Sequence, residues 1–332
     1  MLAPTFPFTQ TVGALCGYFL GAILPPDDDT EALKDTGLWR VIYGYFPFLL
    51  YAIFLLLHLT IVKEDSIKFL LSKRRYDEAR IAVCRMYKEA SDERGQTLVM
   101  ERLEKTFGKD SSGLTFKDAM VNPQYRTATW VNIGYMIFHE LTGNNVILLY
   151  SNILFASMNQ SGLSSISPRE GTYLVGIANT VASIISIQVL RTFGRKSLVV
   201  VGHILMALSH ITIGIMNNNQ HDNGVIIMIL VFVFFYQNTS GPVAWLYAAE
   251  TAIDSGMGII LFTLWITVFA LTLISPIIMS PESLGPSPVF FMFGVLSMFG
   301  ALYCYIVLKE TKGLTDKEKK SLFLPKRYRI AQ

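Results

Sequence analysis

The sequence predicts an all-α membrane protein with eight membrane-crossing helices, and three observations carry that prediction. Of the 332 residues, 52% are hydrophobic and only 16% charged, with a mean hydropathy of +0.41. That is more apolar surface than one aqueous core can hide, so lipid is the expected solvent. Eight apolar runs each reach the ~20 residues that a helix needs to cross the hydrocarbon of a bilayer. Leu, Ile and Phe fill these runs without the alternation of a barrel strand, and because hydrocarbon cannot satisfy an open backbone, such runs fold as helices.

The runs cover residues 5–24, 39–62, 127–157, 171–190, 197–216, 224–247, 255–279 and 288–308. The first is unlike a secretion signal, since no basic residue precedes it and no A-x-A site follows. Lysine and arginine orient the set: 14 fall in residues 63–126, three in 191–196 and eight in 309–332, which makes 25 of the 28 in the chain. If the helices alternate, these segments share one face, which the positive-inside rule makes cytoplasmic together with both termini. The opposite face receives Lys34, Arg40 and Arg169 beside acidic Asp27, Asp28, Asp29 and Glu31. The organisation is two helices in 1–62, a polar linker in 63–126, six helices in 127–308 and a charged tail in 309–332. In the linker Ala79, Ala82, Val83, Met86 and Tyr87, then Val99, Leu103 and Phe107, recur at helical spacing and predict two short amphipathic helices. Thr115 with Asp118 reads as a capping box opening a further turn. Six helices after such a linker suggest one half of a duplicated six-plus-six carrier, with four helices expected ahead of the first run.

Broken helices mark transport sites, because they open backbone dipoles inside the membrane. In the third run Gly143-Asn144-Asn145 interrupts the apolar sequence, with His139 and Glu140 before it and Tyr150 after it. At 100° per residue His139, Thr142, Asn145 and Tyr150 share one broad polar face. In the sixth run Gln237, Asn238, Thr239 and Ser240 precede Gly241-Pro242, whose missing N–H frees the carbonyl of Asn238. Ser275-Pro276 in the seventh frees that of Thr272. Amides offer donors and acceptors without charge, and aromatic faces cover the apolar side of a sugar ring, so Asn145, Tyr150, Gln237 and Trp245 point to a neutral polyol. The bland alternative is that such side chains only join helices, at ~0.6 kcal/mol per contact, and Asn179 fits either role. Glu140, the one carboxylate clearly inside a run, reads either as a proton carrier beside His139 or as a structurally paired acid. Glu250 at the end of the sixth run is within expected reach of Arg195 and Lys196, a pair that would latch the cytoplasmic side.

Other classes fail on spacing. Basic residues are interspersed with acidic ones and form no aromatic-studded stripe, so no nucleic-acid partner is expected. His139-Glu140-Leu141-Thr142-Gly143 begins like a zinc-peptidase motif but has glycine where the second histidine must stand. There is no G-x-S-x-G and no phosphate loop, so an enzyme is not expected. Cys16, Cys84 and Cys304 have no ligand spacing and are expected to pack, leaving no metal or cofactor site. Asn159-Gln160-Ser161 is a glycosylation sequon on the outer face.

Five segments in order resemble the sugar-porter family of the major facilitator superfamily, over nearly the whole chain. Glu64-Asp65-Ser66-Ile67-Lys68-Phe69-Leu70-Leu71 resembles P-E-S-P-R-F-L-L without its prolines. His139 to Val146 resembles Q-Q-L-S-G-I-N-A. Thr192-Phe193-Gly194-Arg195-Lys196 resembles the end of D-R-F-G-R-R, with Arg191 in place of the aspartate. Gly241-Pro242-Val243-Ala244-Trp245, continuing to Ala249-Glu250, resembles G-P-I-P-W followed by A-E, and Glu310 to Thr315 matches E-T-K-G-L-T.

The resemblance implies a major facilitator fold of which this chain holds helices five to twelve, eight of an expected twelve. A fragment of that kind is expected to transport poorly. It implies that Asn145, Asn179 and Trp245 contact sugar, that Trp265 lies near the pocket, that Tyr150 serves the outer gate, and that Asp65, Lys68, Arg195, Lys196 and Glu250 form the cytoplasmic gate. His139 and Glu140 stand where the family places two glutamines on sugar hydroxyls, and Gln237 where many members carry a glutamate. The expected function is alternating-access passage of a neutral, hexose-type sugar across the plasma membrane, with proton coupling left open. The alternative is a non-transporting sugar sensor or partner protein on the same scaffold.

Overall fold

A computed structural model describes residues 5–25, 29–61, 65–90, 92–107, 114–159, 167–280 and 282–325. Asp27, Asp28, Gln160, Ser161 and the side chains of Lys68, Phe107 and Asn159 lie outside the described residues. The chain divides into two compact units, residues 1–22 with 116–332, and residues 23–115. Helix α1 (Thr5–Gly21) belongs to the first.

In the unit of residues 23–115, α2 (Leu38–Ile61) is a 24-residue helical stretch. Its turn Val41–Tyr45 is π-wound just ahead of Pro47, where a missing N–H would interrupt an ordinary α-turn. None of its apolar side chains is buried. The linker then folds as α3 (Ile67–Ser72), α4 (Tyr76–Met86) and α5 (Glu93–Phe107) around Leu70, Leu71, Ala79, Ala82, Val83 and Val99. Among the described residues this unit thus holds three linker α-helices, besides a 3-10 turn at Lys88–Ala90, where periodicity predicts two. The additional one has six residues, too few for a repeat to show, and is started by Ser66, whose hydroxyl accepts the Phe69 N–H. Met86 and Tyr87 do not join this core; they are 62% and 37% exposed, because α4 ends at Met86 and Tyr87 is extended.

The other unit resumes with the turn α6 (Phe116–Val121), directly after Thr115. The third apolar run is two helices, α7 (Arg126–Glu140) and α8 (Asn144–Asn159). There follow α9 (Pro168–Thr192), α10 (Arg195–Asn218), α11 (Asp222–Asn238), α12 (Ser240–Thr251), α13 (Asp254–Met279), α14 (Pro286–Val307) and the short α15 (Asp316–Ser321). Among the described residues, α2, α9, α10, the α11–α12 pair, α13 and α14 are long and apolar enough to cross a membrane. The remaining two runs are the 17-residue α1 and the broken α7–α8.

Helix α10 packs against α14 and α11, and α1 lies along α9. There the hydroxyls of Thr11 and Ser183 bond at 2.9 Å and the Tyr18 hydroxyl donates to the carbonyl of Leu148. Small polar contacts of this kind hold helices together where lipid removes the hydrophobic incentive. Among the described residues three apolar clusters fill the bundle, one around Tyr135, Met136, Tyr247 and Cys304, a second around Met206, Ile213, Ile229 and Phe232, and a third around Val146, Val289 and Phe293. Phe262, Phe269 and Ile277 on α13 and Leu302 and Ile306 on α14 point outward, as a lipid-facing surface requires. Cys304 is buried, whereas Cys16 and Cys84 are exposed, so core packing applies to Cys304 alone.

Candidate functional site

Two helix breaks face each other where the apolar clusters meet. The first follows Glu140: Gly143 adopts φ +79°, and a Cβ there would lie 2.9 Å from the Phe293 ring, so a residue without a side chain lets the chain reverse and start α8. The second is at Thr239 (φ −128°, ψ −91°), between α11 and α12 and three residues before Pro242. His139 bridges them. Its Nδ1 is 2.9 Å from the Ser240 hydroxyl and its Nε2 3.0 Å from the Tyr236 hydroxyl, with the Tyr236 ring stacked at 5.3 Å. Both nitrogens of a fully buried imidazole are therefore satisfied, which fixes the ring.

Glu140 is also buried, at 3% exposure, with Oε1 3.7 Å from His139 Nε2. Its Oε2 accepts the Asn145 amide N–H at 2.5 Å. Asn145 is half-buried and thus stands between this interior network and the open side of the helix. The Thr142 hydroxyl donates to the His139 carbonyl, and the Thr142 carbonyl meets His210 Nε2 at 2.7 Å. The single polar face expected for His139, Thr142, Asn145 and Tyr150 does not form, because the chain leaves the helix at Leu141. Thr142 turns into the core instead. Tyr150 caps a different break: its hydroxyl donates at 2.8 Å to the Thr272 carbonyl, the group that Pro276 leaves without an N–H partner.

Gln237 is buried at the end of α11, its amide oxygen beside Gly241. Asn179 is buried in α9 with Oδ1 unpaired. Trp245 packs against the Tyr135–Tyr247 cluster, and Trp265 stands 58% exposed on α13. The structure thus joins His139, Glu140 and Asn145 directly and adds Tyr236 and Ser240. Tyr236 escaped the sequence reading; its place at the head of Tyr236-Gln237-Asn238-Thr239-Ser240 was the available signal.

A second polar cluster closes the end of the bundle that carries Arg195. Glu250 Oε1 lies 3.5 Å from Arg195 Nη2 and 3.0 Å from Lys319 Nζ, while its Oε2 accepts the Thr311 hydroxyl at 2.6 Å. Lys196, expected to pair with Glu250, lies over the Tyr305 ring instead, and Lys319 of α15 takes the role. Glu310 caps α10 from across the bundle: its carboxylate accepts the backbone N–H groups of Arg195 and Lys196, and also of Thr311 and Lys312. α15 is started by a capping box in which the Thr315 N–H and hydroxyl hold Glu318 below the usual carboxylate range. Asp65 makes an ion pair within the linker unit, 3.0 Å from Arg75, which Glu78 also binds.

A family model described as "Sugar (and other) transporter" matches residues 1–323. The chain is 27% identical over 324 residues to the major myo-inositol transporter IolT of Bacillus subtilis, covering 94% of this chain and 64% of the relative. It is 25% identical to hexose transporter 1 of Plasmodium falciparum over 91% of this chain and 61% of the relative. The galactose-proton symporter of Escherichia coli matches at 25% identity over 88% of this chain and 62% of that protein. The chain thus spans less than two thirds of the length of these relatives. Among solved structures, a proton:xylose symporter of the major facilitator superfamily, XylE bound to 6-bromo-6-deoxy-D-glucose, superposes with a TM-score of 0.74 at 20% identity, over 97% of this chain and 66% of that one. The chain is a multi-pass membrane protein with the major facilitator fold, and it belongs to the sugar (and other) transporter family.

Proposed function

We propose that this chain takes part in moving a neutral, hydroxyl-rich solute of hexose type across the plasma membrane by alternating access. The observation that carries the reading is the meeting of two helix breaks at the His139 network, with Asn145 held at its edge. Uncharged amides, hydroxyls and an imidazole at a break in the membrane suit a polyol, whose hydroxyls both give and take hydrogen bonds. The names of the relatives, an inositol transporter, a hexose transporter and a galactose-proton symporter, support the same solute class. In this reading Asn145, Asn179, Gln237, Trp245 and Trp265 line the solute path, with His139 and Glu140 behind them and Tyr150 steadying the outer side. Residues 63–126 and 309–332 lie in the cytoplasm with both termini, and the Arg195–Glu250–Lys319 cluster closes that side. Asp65, paired with Arg75, belongs to the linker unit.

The test is uptake of radiolabelled D-glucose and myo-inositol into liposomes holding the purified chain, with tryptophan-fluorescence titration of binding alongside. Saturable binding, weakened by Asn145→Ala and Trp245→Ala, is expected, with slow uptake. Uptake indifferent to both substitutions would remove the site assignment.

A further inference from the structure

The contact between Glu140 and Asn145 has a chemical consequence that rests on the solute reading above. A primary amide has two faces: its NH2 only donates and its oxygen only accepts. In this structure the NH2 of Asn145 points inward to Glu140 Oε2 at 2.5 Å, so its oxygen is turned from the carboxylate. That orientation requires Glu140 to be an acceptor at this oxygen. If a proton is placed on it, Glu140 becomes a donor there, and the amide satisfies it only by rotating to bring Oδ1 inward and NH2 outward. The reversal moves no backbone.

We propose that a proton taken up on Oε2 of Glu140, the oxygen that Asn145 meets, switches the face that Asn145 presents to the solute, which links proton binding and solute binding through one amide.

The surroundings suit a switchable carboxyl. Glu140 is buried beside the helix break, and among the described residues its ion-pair partner is His139 alone, at 3.7 Å, with no lysine or arginine in range. A buried carboxylate without a cation gains little from remaining charged. The titratable groups facing it come from three helices. His139 of α7 is held between Ser240 and Tyr236, Tyr236 of α11 meets the pair at His139 Nε2, and His203 of α10 is bonded to the Val199 carbonyl of its own helix. His210 of α10 is joined to the same break through the Thr142 carbonyl. These neighbours fix His139 from both nitrogens, so the amide of Asn145 is the free-turning partner of the pair. In a cycle one proton adds to Glu140 from the solute path, the carboxyl donates to Asn145 Oδ1, and the same proton leaves when the path opens to the other side. The charge balance is one proton per solute.

Linkage makes the effect reciprocal: if protonation tightens solute binding, solute binding must take up a proton. D-Glucose or myo-inositol affinity, whichever solute binds, is measured on the full chain at about pH 5.5 and about pH 8, with tighter binding at the lower pH by about tenfold expected. Glu140→Gln, which keeps a donor and an acceptor in place but cannot ionise, is expected to bind with one affinity at both values. Should that variant fail to fold, calorimetry of the unsubstituted chain in buffers of different ionisation enthalpy still decides: net uptake of a proton on binding is expected, and none overturns the proposal. Binding that is flat with pH in the unsubstituted chain, or pH dependence that survives Glu140→Gln, overturns it too while leaving the solute reading intact. Absence of any polyol binding at either pH removes the solute reading and this inference together.

Discussion

The two polar clusters of the larger unit are built from different chemistry. Around His139 the groups are an imidazole, two hydroxyls, an amide and one carboxyl, each meeting one or two partners with no lysine or arginine among them. Around Glu250 and Glu310 the groups are carboxylates, a guanidinium, an ammonium and backbone N–H groups at a helix start. The difference follows from what can replace a lost partner. At the charged end water reaches the cluster: Arg195 and Lys319 keep 17% and 15% of their side-chain exposure. Beside Gly143 and Thr239 the groups are buried, His139 at 2% and Glu140 at 3% exposure, so a lost partner is harder to replace.

The comparison predicts the larger losses in the interior. His139→Leu removes the imidazole partner of the Tyr236 and Ser240 hydroxyls, which leaves them Asn144 and Tyr135, at about 0.5–1.5 kcal/mol for each buried bond lost. Gly143→Ala puts a Cβ against the Phe293 ring at positive φ, adding about 1–2 kcal/mol of backbone strain to the clash. Both should lower the Tm of the detergent-solubilised chain, followed by tryptophan fluorescence, more than any single change at the charged end. Glu310→Gln comes next. It weakens four charge-assisted contacts, but water rehydrates the freed N–H groups, so the expected cost is about 1–2 kcal/mol. The same melts in rising salt sharpen the contrast, because the Debye length falls from about 10 Å at 0.1 M to 3 Å at 1 M. Salt should narrow the gap between the parent chain and Glu310→Gln and leave the His139→Leu gap unchanged. If Glu310→Gln proves the costlier of the two, water access is not what separates the clusters.

What was legible in the sequence divides along the same line. Six of the eight apolar runs appear among the described residues as helices long and apolar enough to cross a membrane, because lipid demands length and apolarity and both can be counted; the first is a 17-residue helix and the third is broken at Gly143. Gly143 and Pro242 announced their breaks by residue type. The partners across those breaks could not be read: His139 and Ser240 are 101 positions apart, and which faces meet depends on how α7, α11 and α12 pack. The apparent helical face of His139, Thr142, Asn145 and Tyr150 misled for a related reason, since a periodicity argument assumes that the helix continues. At the charged end E-T-K-G-L-T was visible as a motif, but its work as the cap of α10 was not, because Glu310 lies 115 positions from Arg195. Lys196 looked equivalent to Arg195 by adjacency, yet successive helical residues point about 100° apart, and its side chain goes to Tyr305.

Tyr150→Phe tests the interior at its mildest. It removes one hydroxyl from the Thr272 carbonyl without opening a cavity, at about 1 kcal/mol. If the cost is nil, that carbonyl has another partner and the tie between α8 and the proline turn of α13 is dispensable.

The smallest effect belongs to α15 and carries a sign. Because the Thr315 N–H and hydroxyl hold Glu318 below its ordinary value of 4.5, the folded state favours the ionised carboxyl. The capping contribution is then fully present above that value and is lost as pH falls through the depressed one. α15 also positions Lys319 on Glu250, so fraying of the cap should loosen the ion pair with it. Hydrogen exchange at the amides of residues 315–319 should stay slow down to the ordinary carboxylate range and accelerate, relative to intrinsic rates, as pH falls below it. Thr315→Ala should show the faster exchange already at neutral pH. Protection that does not respond to acid would mean that α15 is held by its contacts with the bundle and not by its cap, and the charged end would then depend on packing as the interior does.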